Sequence, residues 1–180
     1  MSLSMWSWIL GIVFGAFGGA LLARPLRMGS ALKAFPRSVW AGRILSAVAW
    51  IWAAYAINMM GLDFLEPYKR VLNIVAVICI PLTWYWMDNL LSCRALGGIL
   101  TLFPYELLHV ARIHSSPARL VLVVLAYLFI VYGMWLILYP WTLRKHIDWV
   151  VLKEGRIRGT AALFLVSALV LVGLGATVLR

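Results

Sequence analysis

Long apolar runs, separated by short basic or mixed-charge connectors, set the pattern of this chain. Six runs read as helices, at residues 5–23, 43–60, 71–91, 95–113, 119–139 and 159–179. A hydrocarbon core about 30 Å thick needs about 20 apolar residues in a helix rising about 1.5 Å per residue. The pattern therefore predicts an all-α polytopic integral membrane protein: six transmembrane helices in one domain over 1–180, and no soluble domain. The cleanest run is VLVVLAYLFIVYGMWLILY, uncharged and closed by Pro140.

The stretch 95–113 decides the count. Seventeen residues separate Arg94 from Arg112, about 25 Å of helix, so both arginines must snorkel for it to cross. The alternative is five helices plus a re-entrant or interfacial segment at 95–113. A bilayer tolerates such a segment only where protein or water satisfies its backbone. Charge placement favours six spans. The cytoplasmic connectors then hold eleven cations (Arg24 to Arg43, Arg94, and Arg144 to Arg158) against five outside; five spans give nine and seven. An excess of Lys and Arg marks the cytoplasmic side, and both chain ends are then expected outside. No Lys or Arg precedes the first run, which favours an uncleaved first helix over a signal peptide.

Composition agrees. The chain is 64% hydrophobic and 12% charged, where soluble proteins average about 45–50% apolar residues. The net charge of +10 sits mostly in connectors, which suits anionic lipid headgroups and not nucleic acid. In the basic connector 24–42, Pro25, Gly29 and Pro36 argue against a long helix and for a solvated loop. Residues 141–158 suit a short amphipathic helix, with Ile147, Val150 and Val151 toward lipid and Lys145, Asp148 and Lys153 toward water.

Few residues suggest chemistry. Gly11, Gly15 and Gly19 fall four apart and form a candidate helix-packing face, for another helix of this chain or for a second protein. Asp88, Glu106 and His109 are a candidate intramembrane polar site, because ionisable groups at membrane depth are costly and tend to be functional. Glu106 and His109 are three apart and share a helix face. One ExxH element falls short of the paired elements and extra glutamates of a dinuclear metal site. His109 and His114, five apart, do not share a face for haem. Cys79 and Cys93 read as small packing residues, since neither CxxC spacing nor nearby histidines accompany them. Catalytic, metal-binding and cofactor-binding residues are expected to be none, and no phosphate-binding loop, nucleotide fingerprint or HExxH occurs.

The expected function is that of a non-catalytic accessory, scaffold or assembly subunit, with the bilayer and its anionic lipids, a membrane-protein partner or a second copy as partners. The alternative is a small transporter or channel. It would use Asp88, Glu106 and His109 between two proline-interrupted helices, carrying Pro81 and Pro104. From Val124 to Leu179 the order is a helix, Tyr139-Pro140, a basic amphipathic connector, Arg156-Ile157-Arg158 and a Gly-rich aliphatic helix. This order resembles small bacterial two-helix inner-membrane proteins of unknown function. The resemblance implies a bacterial inner membrane and nothing about activity.

Overall fold

The structure is a computed structural model that describes residues 2–59, 61, 66–87, 90–113 and 116–177. Among the described residues there are eight α-helices and no strand. They are α1 (Leu3–Ala23), α2 (Pro25–Ala34), α3 (Val39–Met59), α4 (Lys69–Trp86), α5 (Leu91–Ile113), α6 (Arg119–Leu138), α7 (Trp141–Val151) and α8 (Glu154–Thr177). Four of these, α1, α3, α6 and α8, are long and apolar enough to cross a membrane. The expected spans at 71–91 and 95–113 are present as α4 and α5, of 18 and 23 residues. Both are long enough, at about 27 and 35 Å, but charge interrupts them: Lys69 and Arg70 take two of the 18 residues of α4, and Arg94, Glu106 and Arg112 are spread along α5, whereas the charges of α8 lie at one end and leave 159–177 uncharged.

The chain forms two compact units: residues 1–34, 104–128 and 144–180 in one, 35–103 and 129–143 in the other. In the first unit α1 and α8 form an antiparallel pair. Its seam is written in both sequences with alternating steps of four and three. Leu3, Ser7, Leu10, Phe14, Phe17 and Leu21 supply it from α1, and Ile157, Ala161, Phe164, Ala168, Leu171 and Gly175 from α8. That is a 3.5-residue repeat, which keeps one stripe facing the partner helix in a left-handed supercoil. Phe164 packs edge-on against Phe14 and Phe17, with centroids 5.3 and 5.0 Å apart. The Ser7 hydroxyl donates to the Leu171 carbonyl at the other end of the seam.

Glycines let the two backbones meet. A methyl at Gly11 would lie 2.6 Å from Val172 Cγ2, and one at Gly18 would lie 3.0 Å from the Ala161 carbonyl oxygen. Gly15 faces Ala168, whereas Gly19 has nothing within 4 Å. The glycine face thus runs 11, 15, 18: a 3.5-residue seam takes a three-residue step where a pure GxxxG series takes four.

At the base of this pair α2 and α7 complete a cluster. Leu21, Ile157 and Ala161 are buried beneath Met28, Leu32, Val150 and Val151. The connector expected to be a solvated loop is therefore partly helical. Pro25 opens α2, where its missing N–H is no loss. Gly29 sits where a methyl would be 3.1 Å from Val151. The apolar face of α7 is covered by protein, while Lys145, Asp148 and Lys153 are exposed as expected. Arg156 stacks over the Trp149 ring at 4.4 Å and donates to its carbonyl, tying α7 to α8.

In the second unit the helices alternate in direction. Asn58 meets Asn73 and Ser46 meets Trp84, so α4 runs antiparallel to α3. Gly42 lies against Leu91, and Gly98 against Ala49, so α5 runs parallel to α3. Gly97 and Gly133 meet backbone to backbone, and Phe103 meets Phe129, so α6 runs back along α5.

Gly18→Val is expected to lower stability in detergent by about 1–3 kcal/mol, because the added methyls meet a backbone carbonyl that cannot move aside. Gly19→Val is expected to stay within about 0.5 kcal/mol. Chemical unfolding of both variants in mixed micelles checks this; equal losses would contradict the 3.5-residue seam.

Candidate functional site

Polar side chains inside the second unit are mostly committed to bonds between or along helices. Asn58 and Asn73 exchange amide hydrogen bonds of 2.8 and 3.2 Å, and Asn58 also donates to the Ala54 carbonyl at 2.7 Å. Lys69 bridges Glu66 and the Asn58 carbonyl, closing the same end. At the opposite end the Trp84 indole N–H donates to Ser46 Oγ at 3.0 Å, while Ser46 donates to the Arg43 carbonyl. The Arg43 guanidinium lies 5.9 Å from the centre of the Trp84 ring. Ser92, buried at the start of α5, donates to the Phe35 carbonyl at 2.9 Å and pins the turn before α3.

Between these two ends lies a cleft of about 410 Å³. Its walls include Trp50 and Ala53 of α3, Thr83 of α4, Arg94 and Leu102 of α5, and Ile137 of α6. The size falls within the usual range for small-molecule sites, about 300–1,000 Å³. Arg94 is the one charged side chain on its wall among the described residues. Arg94 Nε is buried and has no hydrogen-bond partner, and the ion pairs among described residues, Lys69–Glu66 and Arg158–Glu154, do not involve it. The threonine neighbours have no free proton to donate: Thr83 and Thr101 give theirs to the Ile80 and Gly98 carbonyls.

The three residues singled out for an intramembrane polar site are placed differently. Asp88 lies outside the described residues. Glu106 is half-buried and His109 exposed on α5. His109 stacks loosely on Tyr105, with ring centroids 6.4 Å apart, and no hydrogen bond or ion pair joins it to Glu106. Below them Arg119 donates to the Ala111 and Arg112 carbonyls, filling acceptors that the end of α5 leaves open. Among the described residues no group of three or more His, Cys, Asp or Glu is placed to hold a metal. Cys79 and Cys93 are free thiols, Cys93 buried and Cys79 half-buried. Sequence reasoning passed over Arg94 because a lone arginine near a helix start reads as a snorkelling flank. Only the packing of α3 and α4 beside it shows that its Nε is enclosed.

Ser46→Ala is expected to cost about 1–3 kcal/mol, since it strands a half-buried indole N–H. In a Trp84→Phe background the same change is expected to cost little, and a double-mutant cycle by unfolding titration measures the difference.

Comparison with protein families, with curated proteins and with solved structures finds no match.

Proposed function

We propose that this chain is a six-span integral membrane protein that acts by packing, as an accessory, scaffold or assembly subunit, with both ends on the outer side of a bacterial inner membrane. The observation that carries the reading is where its polar groups go. Ser7, Ser46, Asn58, Asn73, Trp84 and Ser92 bond between helices or to the turns that flank them. A carrier keeps such groups facing a hydrated path; here they clasp helices together. Interhelical bonds of this kind are each worth about 0.6 kcal/mol on average, so several are needed to fix one arrangement.

Helix directions support six crossings. Two helices side by side in a bilayer and antiparallel enter from opposite faces. The α1–α8 pair therefore favours ends on one face, and an even number of spans. Charge interrupts α4 and α5, yet α4 runs beside α3, and α5 lies along both α3 and α6. A helix packed along two neighbours that cross is carried across with them, and its terminal arginines can reach the interfaces.

The test uses single cysteines at Pro67, Leu90, Ser116 and Lys145 in a chain whose Cys79 and Cys93 are replaced by alanine. A membrane-impermeant maleimide is expected to label positions 67 and 116 in intact cells, and 90 and 145 only after permeabilisation. Outside labelling at 67 and 145 alone would indicate five spans; outside labelling at 67, 90 and 116 would indicate four. For the role itself, purification in mild detergent is expected to bring down a membrane protein in fixed stoichiometry. Recovery of this chain alone, together with ion flux in proteoliposomes, would overturn the packing role.

A further inference from the structure

We propose that the cleft among α3, α4, α5 and α6 in the second unit is a binding site for one anionic phospholipid, its phosphate on Arg94 and an acyl chain along the apolar walls. The proposal goes beyond the packing role, because it assigns a ligand to a defined place in the chain.

Charge comes first. Arg94 enters the cleft with an enclosed Nε and no carboxylate partner among the described residues. Arg94 is half-buried, and its enclosed Nε–H pays a desolvation cost that no acceptor returns. The other polar groups on the wall have their protons committed to backbone carbonyls. What is missing is an anion, and guanidinium with phosphate forms a charge-assisted, often bidentate pair.

Shape selects the kind of anion. From Arg94 the wall continues along α5 through Gly98 to Leu102, about 12 Å of helix, beside Ala49, Trp50 and Ala53 of α3. The small residues make the space, and the large ones line it with hydrocarbon. A free phosphate would satisfy Arg94 but leave this apolar length empty. A lipid without phosphate, such as a diacylglycerol, would fill the length but leave the arginine unpaired. A phospholipid with net negative charge does both, in the orientation that a bilayer imposes: headgroup near the helix end, chain toward the middle. Arg94 lies one turn into α5, beside a helix end that carries Trp84, Tyr85 and Trp86, residues typical of the headgroup level.

The experiment is native mass spectrometry of the full chain in detergent, titrated with phosphatidylglycerol, with diacylglycerol of the same chains, and with inorganic phosphate. The wild type is expected to retain one phosphatidylglycerol at least tenfold more tightly than diacylglycerol, and inorganic phosphate is expected not to displace it. Arg94→Gln is expected to remove that preference, weakening phosphatidylglycerol about tenfold or more and leaving diacylglycerol unchanged. Ala53→Leu, which fills the cleft without touching charge, is expected to weaken phosphatidylglycerol as well. Unchanged phosphatidylglycerol binding in either variant overturns the proposal, and Ala53→Leu alone decides if Arg94→Gln does not fold. Displacement by inorganic phosphate would mean an anion site without a lipid. Neither result bears on partner recovery, so this site and the packing role fail separately.

Discussion

Close approach of backbones is the constraint on which this structure depends. In lipid, helices gain little by hiding apolar surface from one another, so they hold together through van der Waals fit and hydrogen bonds at short range. Each well-fitted crossing here has a small residue at its centre. Gly11 and Gly18 meet Ala168 and Ala161, Gly97 meets Gly133, Gly42 meets the start of α5, and Gly98 meets Ala49. The polar clasps form where this closeness brings donors within reach, as with Ser7 and the Leu171 carbonyl. Aromatic rings fill the spaces beside the small residues, Phe164 between Phe14 and Phe17 being the clearest case.

Much of the helical layout was legible from hydropathy, because long uncharged runs have few other solutions. The run at 119–139 became α6, within a residue at each end. Two features were harder to read. Residues 24–42 carry Pro25, Gly29 and Pro36, which look like helix breakers in isolation. In place, Pro25 begins a helix and Gly29 is the contact that seats α2 on α7. Counting glycines in fours pointed to Gly19, while the seam's step of four and then three selects Gly18. Hydropathy also understated the stretch around 95–113. Its helix begins at Leu91 and includes Arg94, so the residue that seemed to mark its boundary lies inside it.

The candidate site was less legible, for a physical reason. Carboxylates and histidines draw attention because they titrate, yet His109 is exposed and Glu106 bonds to neither it nor Arg119. The enclosed group on the cleft wall that lacks a partner belongs to an arginine, always charged and so uninformative by type. Its meaning comes from surroundings contributed by three other helices. Scaffold and ligand then need not be competing descriptions. A lipid seated between α3 and α5 would act as one more packing element, supplying contacts that small residues leave open.

The seam between α1 and α8 also has a consequence in time. Roughly 130 residues separate Ala23 from Glu154, and synthesis at about 5–20 residues per second puts about 7–26 s between the two helices. Throughout that interval the first helix stands in the bilayer with its glycine stripe bare and its Ser7 hydroxyl without the Leu171 carbonyl. Whatever shelters it during biogenesis, whether an insertion factor or lipid tails, must give way when the late helix arrives. Completion of this unit thus waits until translation has passed α8.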